Sequence, residues 1–222
     1  MIEKIVPSNI DDRVISRAVT LLEDGALIAL PTDTNWSVVC SIKSPAGIKK
    51  LRRLSGERDE RHFTLLCSGI SQFSEMCNLS NSRFRLINRL SPGPYVFILK
   101  THRGTEKTLD IRRHEVGVRI PDYPVTIRLI DSIGCPLYAI TAKKSMTVSG
   151  SPETFGDEQA DTELPSIPEI QLFENAHELD DIKELSLILD SGEDRERIFS
   201  TILDMCQDEI KLLRQGAGPW PV

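Results

Sequence analysis

Residues 25–40, GALIALPTDTNWSVVC, contain two short apolar segments that flank a polar tripeptide. Neither segment, 26–30 or 36–42, alternates apolar and polar residues, which is typical of strands covered on both faces of a sheet. Sheets covered on both faces belong to layered α/β domains. The tripeptide TDT at 32–34, called here the polar knot, is either a plain turn between the two predicted strands or the floor of a ligand pocket.

The same pattern extends along the chain, where helical periodicities alternate with short apolar segments. It predicts a layered α/β fold with a twisted, largely buried sheet, and one domain over residues 1–222 is the economical interpretation. The predicted helices cover residues 13–23, 46–54, 70–77, 82–90 and 124–132, with two further helices near 168–175 and 193–205. The predicted strands cover residues 26–30, 36–42, 63–67, 95–100, 116–120 and 137–141, followed by a last pair over 185–189 and 210–214.

Length and composition limit the class of protein. The chain has 222 residues, of which 40% are hydrophobic, and this is sufficient for one sizeable core. It contains no run of about 18 apolar residues that could span a membrane. The first residues, MIEKIVPSNIDDR, have no apolar stretch of the kind found in signal peptides. We therefore expect a cytoplasmic protein without a membrane partner.

Cysteines and histidines indicate neither a disulfide framework nor a metal site. The five cysteines are widely spaced, without a C-x-x-C motif. An odd number at wide spacing is typical of buried reduced thiols. The four histidines have none of the spacings of metal-binding motifs, and no nucleophile-elbow or Walker sequence occurs. Nothing in these residue types requires a metal.

Charge is distributed unevenly along the chain. Residues 1–150 contain 22 Lys and Arg against 15 Asp and Glu, whereas residues 151–222 contain 5 against 18. Basic residues are concentrated at 43–61, which is either a solvated surface or a contact for phosphate or nucleic acid. Residues 153–181 contain ten acids and no Lys or Arg. We interpret 151–182 as an acidic, proline-containing, poorly packed insertion, and hypothesise that it covers the basic face as a mobile lid.

Three polar clusters follow predicted strands: the polar knot, RIPD at 119–122 and TAKKS at 141–145. In layered α/β folds, ligands bind in crevices at strand ends. Each cluster also has a purely structural interpretation. Thr and Asp after a strand commonly form a turn, a terminal Arg commonly pairs with a surface acid, and the two lysines could be merely solvated. The residue types alone therefore predict an α/β domain with a candidate anion pocket.

Five motifs occur in a definite order along the chain. They are P-T-D-T after a strand, S-P-G-P-Y-V-F-I-L, G-V-R-I-P-D-Y-P, G-x-P-L before a polar loop, and L-L-R-Q-G-A-G near the end. In this order they resemble the YrdC/YciO family, which comprises threonylcarbamoyl-AMP synthases and their relatives. The resemblance covers residues 14–218, and F-T-L-L-C at 63–67 and F-I-L-K at 97–100 are most similar to the YciO branch. It implies a three-layer α/β fold with a twisted mixed β-sheet, helices on both faces and a concave basic surface.

The resemblance also implies an activity. The family joins threonine, bicarbonate and ATP into threonylcarbamoyl-adenylate with release of pyrophosphate, and the product is used to modify certain tRNAs. For this chain it implies ATP as a substrate, with Mg, and no tightly bound cofactor. It also implies threonine and bicarbonate as small-molecule partners, and tRNA or double-stranded RNA as candidate macromolecular partners.

The resemblance assigns residues to the two ends of the site. Those that would bind the threonine-like substrate are Thr32, Thr34, Arg119, Thr141 and Ser200. Those that would approach the nucleotide and its phosphates are Arg58, Arg61, Lys143, Lys144 and Arg214. Arginine suits a carboxylate because its planar fork binds both oxygens. Cations are needed at the triphosphate because charge develops there during phosphoryl chemistry.

The nucleotide side departs from the family pattern. The family's K-x-R motif falls on Ser55, Gly56 and Glu57, and its asparagine after G-x-P-L falls on Lys143. Loss of two charge-assisted phosphate contacts is worth on the order of 10³-fold in transition-state stabilisation. We therefore favour a divergent paralogue with weakened or altered activity, in which Lys143 and Lys144 restore positive charge. Full synthase activity, a changed reaction on the same scaffold, and a non-catalytic RNA- or nucleotide-binding protein stay open as alternatives.

Overall fold

The computed structural model describes residues 1–56, 63–105, 109, 114–147 and 171–220. Within these residues, ten strands form one mixed sheet. The strands are β1 (Ile2–Lys4), β2 (Leu27–Pro31), β3 (Trp36–Ser41), β4 (Thr64–Leu66), β5 (Tyr95–Lys100), β6 (Glu115–Arg119), β7 (Leu137–Thr141), β8 (Leu185–Asp190), β9 (Thr201–Asp204) and β10 (Lys211–Arg214).

Helices connect many of these strands. The α-helices among the described residues are α1 (Asp12–Glu23), α2 (Pro45–Ser55), α3 (Ser71–Ser74), α4 (Asn81–Leu90) and α5 (Pro124–Ile133). Short 3-10 helices cover Lys144–Thr147 and Ala176–Leu179. None of the described helices is both long enough and apolar enough to cross a membrane.

Local sequence signals explain where α1 and α2 begin and end. The side chain of Asp11 caps α1 by accepting a hydrogen bond from a first-turn N–H at 2.8 Å. Gly25 follows that helix with a φ of 77°, in the left-handed region that favours glycine. Ser44 caps α2 by accepting from a first-turn N–H at 3.2 Å, and Gly56, with a φ of 62°, ends it. These signals set the lengths of the helices on either side of β2 and β3.

The strand order is β1-β8-β2-β3-β7-β4-β6-β5-β9-β10. β1, β8 and β2 are mutually parallel, whereas β3 is antiparallel to both of its neighbours, β2 and β7. Two further parallel pairs, β4 with β6 and β5 with β9, occur in the other half of the sheet. The sheet is therefore mixed, as the family resemblance implies.

Two separate hydrophobic cores lie on the two faces of this sheet. Leu27 and Ala29 of β2 belong to one core, together with residues of α2. Ile28 and Leu30, which point to the opposite face, belong to the other core with residues of α1 and α5. Alternate residues of β2 thus pack against helices on opposite faces of the sheet. The predicted three-layer α/β fold is confirmed.

Most predicted elements are present, but the helix predicted near 193–205 is wrong. Residues 191–200 contain no helix and lead into β9, which pairs with β5. Ile198, Ile202 and Met205 have helical spacing, but Thr201 is fully buried in the sheet, and strand pairing outweighs the local pattern. The strands predicted over 185–189 and 210–214 are present as β8 and β10, which lie toward opposite edges of the sheet.

Smaller differences concern two elements in the first half of the chain. The helix predicted over 70–77 is limited to α3, and β1 is not indicated by the sequence pattern. The short strand β1 pairs with β8 in parallel, a contact of nearly the full chain length that no local signal could reveal.

The end of the predicted insertion is packed, not loose. Residues 171–182 contribute five side chains that are at most 2% exposed, and these are Leu172, Phe173, Ala176, Leu179 and Ile182. The expectation of poor packing is therefore wrong for this part. The many acidic residues drew attention away from the buried apolar residues among them. The helix predicted near 168–175 lies partly outside the described residues, and its described part contains a β-bridge at Leu172. Residues 151–170 lie outside the described residues, and the lid hypothesis stays a prediction.

Replacing Ile182 with valine is expected to lower the free energy of unfolding by about 1 kcal/mol, because the lost methylene leaves a small cavity in the core. Urea denaturation monitored by circular dichroism measures this change. The control is Val6→Ala, which removes two methyl groups from a residue 57% exposed and should cost less than about 0.5 kcal/mol. Equal effects of the two substitutions would mean that residues 171–182 do not belong to the core.

All five cysteines are buried free thiols, as predicted. Burial raises the pKa of Cys40 and of Cys77 to about 12, so their thiolate forms are not populated near neutral pH. These two thiols therefore fill core space and do not offer a reactive nucleophile.

Candidate functional site

The polar knot folds as a tight turn held by the side chain of Thr32. Its Oγ1 donates to the carbonyl oxygen of Asn35 at 2.7 Å and lies 3.2 Å from Oγ1 of Thr34. Asn35 in turn donates from Nδ2 to the carbonyl oxygen of Ile198 at 2.8 Å. The knot is therefore a turn, and its polar groups are buried against the segment before β9. Its role as the floor of a ligand pocket stays a prediction.

Arg119, the last residue of β6, lies at the centre of the polar contacts around the knot. Its Nη1 donates to Oγ1 of Thr34 at 3.0 Å and to Oγ of Ser200 at 2.6 Å. Its Nη2 pairs with Oδ1 of Asp33 at 2.5 Å. Three residues assigned to the threonine-like substrate, at positions 34, 119 and 200, are thus in direct contact.

Curvature of the sheet makes this contact possible. β2 and β6 are four strand spacings apart in the sheet order. At about 4.8 Å per spacing, a flat sheet would hold them roughly 19 Å apart. Because Arg119 nevertheless reaches Thr34 at 3.0 Å, the sheet must twist and curve toward this face. Thr126 of α5 supports the same arrangement, since its Oγ1 donates to the carbonyl oxygen of Pro31 at 2.6 Å.

The ion pair at the knot has unused hydrogen-bonding capacity. Burial lowers the pKa of Arg119, and the charge of Asp33 and its hydrogen bond oppose that change. Nε of Arg119 and Oδ2 of Asp33 are buried, and neither has a hydrogen-bond partner among the described residues. Buried donors and acceptors without partners are unfavourable. The pair therefore suits a ligand that accepts a hydrogen bond at one point and donates one at another.

Arg214, the last residue of β10, adds a second cation beside Arg119. Its Nε and Nη2 donate to the carbonyl oxygen of Ser200 at 3.1 and 3.0 Å, and its guanidinium lies over the ring of Phe199 at 4.7 Å. Burial, together with the nearby charge of Arg119, lowers the pKa of Arg214 to about 10. Arg119 is paired with Asp33, whereas Arg214 has no ion pair among the described contacts, and an anionic ligand would relieve the repulsion between the two cations.

The segment after β10 holds Arg214 in place. The N–H of Gly216 donates to Oγ1 of Thr201 at 2.9 Å, and the N–H of Ala217 donates to the carbonyl oxygen of Phe199 at 2.8 Å. Further along, the carbonyl oxygen of Pro219 accepts from the Tyr95 hydroxyl at 2.9 Å. The terminal L-R-Q-G-A-G motif is therefore bound along β9 and β5, next to the polar knot.

The segment after β7 lies beside the knot on another side. Thr141 pairs with Ser37 in the register of β7 and β3, and the N–H of Ala142 donates to the carbonyl oxygen of Trp36 at 2.9 Å. Thr141 is thus placed near the start of β3, only a few residues from the knot. The described hydrogen bonds of the Arg119 cluster do not include it.

Lys143 and Lys144 contact residues 171–182. Lys143 forms a β-bridge with Leu172, and Nζ of Lys144 lies 3.5 Å from Oε1 of Glu178. The two lysines predicted to face phosphates therefore lie in a loop that is attached to the acidic segment. Arg58 and Arg61, the other cations predicted for the nucleotide side, lie outside the described residues.

The positions that match the family's K-x-R motif end helix α2. The hydroxyl of Ser55 donates to the carbonyl oxygen of Arg52 at 2.8 Å, and Gly56 adopts the left-handed conformation of a helix cap. Neither residue carries a charge, so the described part of this motif serves helix termination and offers no cation.

Sequence reasoning missed Arg195, which contacts the knot. Its Nη1 donates to the carbonyl oxygen of Thr32 at 3.3 Å, and its guanidinium lies over the ring of Tyr123 at 4.9 Å. The sequence pattern predicted a helix over 193–205. A contact between Arg195 and the polar knot was therefore not expected. The charge pattern D-R-E-R at 194–197 was the available signal, and it is not specific.

A family model matches residues 20–216, and its family is Sua5/YciO/YrdC, described as "Telomere recombination". The chain is 29% identical over 215 residues to the uncharacterized protein YciO of Escherichia coli, covering 96% of this chain and 94% of that protein. The crystal structure of E. coli YciO superposes with a TM-score of 0.78, covering 99% of this chain and 97% of that chain at 25% identity.

Named synthases also match. The chain is 30% identical over 141 residues to the threonylcarbamoyl-AMP synthase of Mus musculus, covering 63% of this chain and 50% of that protein. The fold is similar to that of P. abyssi Sua5 complexed with L-threonine, with a TM-score of 0.77 at 20% identity, covering 97% of this chain and 57% of that chain.

Proposed function

This chain belongs to the Sua5/YciO/YrdC family, and we propose that it binds a threonine-like amino acid and is a divergent relative of the threonylcarbamoyl-AMP synthases with weakened or altered use of ATP. One observation carries the proposal. The amino-acid end of the site keeps a buried Arg119 in contact with Thr34, Asp33 and Ser200, while the described K-x-R positions, Ser55 and Gly56, carry no cation.

The polar groups of the Arg119 cluster support an amino-acid ligand. A carboxylate would accept from Arg119 and Arg214, whose charges exceed that of Asp33 by one. An ammonium group would donate to Oδ2 of Asp33, the buried acceptor without a described partner. Thr32 and Thr34 would complete the wall beside the ligand, with Thr141 and Ser200 on neighbouring sides. The complex of P. abyssi Sua5 with L-threonine favours the same ligand for this fold.

The nucleotide end supports weak or altered chemistry. Each lost charge-assisted phosphate contact costs about 1.5–3 kcal/mol, and two such losses lower transition-state stabilisation on the order of 10³-fold. Lys143, Lys144, Arg58 and Arg61 remain the cations proposed to approach the phosphates. Mg²⁺ would enter with ATP, and no resident cofactor is proposed.

Calorimetric titration with L-threonine tests the amino-acid end. We expect saturable binding, and we expect 3-hydroxybutyrate, which lacks the amino group, to bind at least about tenfold more weakly because it offers no donor to Oδ2 of Asp33. Equal affinities for the two ligands would contradict the assignment of Asp33 to an ammonium group. Absence of L-threonine binding would contradict the proposed function itself.

Threonine- and bicarbonate-dependent release of pyrophosphate from ATP tests the nucleotide end. We expect a rate on the order of 10³-fold below that of a family synthase with an intact K-x-R motif, assayed in parallel. A rate equal to that of the intact synthase would show full activity and refute the proposed divergence. Omission of bicarbonate is the control for unrelated ATP hydrolysis.

A second candidate function is RNA binding, which the exposed cations of two helices favour. Neither α2 nor α4 contains an acidic residue. Lys49, Lys50 and Arg53 of α2 and Arg85 and Arg89 of α4 are exposed. If these residues contact phosphates, tRNA affinity should fall steeply and linearly on a log–log plot against salt concentration, because bound phosphates release counterions. A flat salt response would exclude this surface as a phosphate contact.

A further inference from the structure

Residues 191–200, called here the pre-β9 segment, place an arginine against the polar knot. The N–H of Arg195 donates to the carbonyl oxygen of Glu174 at 2.7 Å, which fixes the backbone at this point. Its guanidinium lies over the ring of Tyr123 and donates to the carbonyl oxygen of Thr32. Backbone and side chain are thus both restrained, so that little conformational freedom would be lost when a ligand binds.

The charge of Arg195 is only partly compensated. Its described ion pair is with Glu193, whose side chain is 56% exposed, whereas the side chain of Arg195 is 12% exposed. Nε of Arg195 is buried, and it has no hydrogen-bond acceptor among the described residues. A solvent-exposed carboxylate is a weak partner for a cation, so a stronger anion could displace Glu193 from Nη2 of Arg195.

Arg197, two residues further, differs from Arg195 in its surroundings. Its Nε, like that of Arg195, is buried without a hydrogen-bond acceptor among the described residues, and it lies 3.1 Å from Oε1 of Glu174. Arg195 and Arg197 are a matched pair in the same segment, and only Arg195 has a described contact with the polar knot.

We propose that Arg195 is a phosphate-binding residue that, with Arg214, supplies positive charge to a nucleotide from the β9 side of the pocket. This replaces charge that Ser55 and Gly56 do not provide on the α2 side. The inference rests on the proposed function, because it assigns a residue for the nucleotide in the same site. The ligand class is a nucleoside triphosphate or the pyrophosphate released from it, since both present the phosphate oxygens that arginine binds with two parallel hydrogen bonds.

Titration of ATP and of inorganic pyrophosphate into Arg195→Gln and Arg197→Gln tests this inference. We expect Arg195→Gln to weaken binding of both ligands by about 10- to 100-fold, the effect of losing one charge-assisted contact. Arg197→Gln removes the same charge two residues away and should change affinity less than about threefold, an effect of long-range charge alone. Wild-type affinity in Arg195→Gln, or equal losses in both variants, would overturn the proposal.

Glu193→Gln provides a second test at an exposed position where folding is not at risk. Because Glu193 competes with a ligand for Arg195, its neutral variant should bind ATP several-fold more tightly than wild type. Glu196→Gln makes the same charge change at another exposed position of the segment and should have a smaller effect. Unchanged or weaker ATP binding in Glu193→Gln would count against the inference.

The outcomes separate this inference from the proposed function. If the wild-type protein binds L-threonine but neither ATP nor pyrophosphate, the role of Arg195 is refuted while the amino-acid end of the site stands. If the wild-type protein binds ATP through Arg195 but not L-threonine, the proposed function fails and the phosphate site stands.

Discussion

Replacement of Arg119 by methionine is expected to lower the free energy of unfolding by about 3–5 kcal/mol, which is the cost of leaving one member of a buried ion pair without its partner. The side chains of Arg119 and Asp33 are 5% and 13% exposed, so water cannot replace the lost guanidinium. The hydroxyls of Thr34 and Ser200 would lose their donor at the same time. Binding of L-threonine should fall at least tenfold, because the ligand carboxylate loses one of the two cations proposed to bind it.

Two further variants test whether breaking the buried ion pair causes the expected loss of stability in Arg119→Met. Arg128→Met removes an arginine whose pair with Asp12 joins side chains that are 50% and 74% exposed, and it should leave the free energy of unfolding nearly unchanged. Adding Asp33→Asn to Arg119→Met should recover a large part of the lost stability, because the unpaired buried charge is removed. If Arg119→Met costs no more than Arg128→Met in urea denaturation, the Arg119 cluster does not hold the pocket together.

The elements around the polar knot could be predicted because their signals are local. Asp11 and Ser44 act on the first turns of α1 and α2, and Gly56 acts at a single backbone position. The mostly apolar residues of β2 and β3 do not alternate with polar ones, and this pattern favours cover on both faces, whatever follows in the chain. These features follow from residue type and spacing within a few positions.

The segment before β9 could not be predicted, because its structure depends on residues that are distant in the sequence. Its apolar residues fit a helix as well as a strand, and the decision comes from pairing with β5, whose Tyr95 aligns with Thr201 in the register. A pattern within ten residues contains no information about that partner. Arg195 was therefore missed, although its charge was visible in the sequence.

The candidate site was predicted from the order of motifs and not from the residue types. An arginine at a strand end is equally consistent with a surface ion pair, and Arg119 contacts Ser200 across 81 positions of sequence. What the motifs could not show is how charge is distributed in the folded pocket. Asp33 already occupies one edge of Arg119, so a carboxylate ligand must share that guanidinium or rely on Arg214. This arrangement favours a zwitterion over a simple anion, because an ammonium group would offset the repulsion between the ligand carboxylate and Asp33.

Replacing Gly216 with alanine is expected to lower the free energy of unfolding by about 1–3 kcal/mol and to displace Arg214 from the pocket. A Cβ at this position would lie 2.2 Å from the carbonyl oxygen of Phe199 and 2.6 Å from that of Ser200. Both are backbone atoms at the start of β9, so the terminal segment must move away from them. The carbonyl oxygen of Ser200 also accepts both hydrogen bonds of Arg214, and the shift would therefore break the contact that orients this guanidinium.

Measurements of ligand binding should detect the displacement of Arg214 independently of any change in stability. At a temperature where Gly216→Ala is folded, affinity for L-threonine or ATP should fall about tenfold or more, because one charge-assisted contact is lost. The control is Gly69→Ala, where the nearest atom to a new Cβ is Oγ of Ser71 at 3.8 Å, and this substitution should change neither quantity appreciably. If Gly216→Ala unfolds at the same urea concentration as Gly69→Ala and binds ligand equally well, the close approach of the terminal segment to β9 is not what positions Arg214.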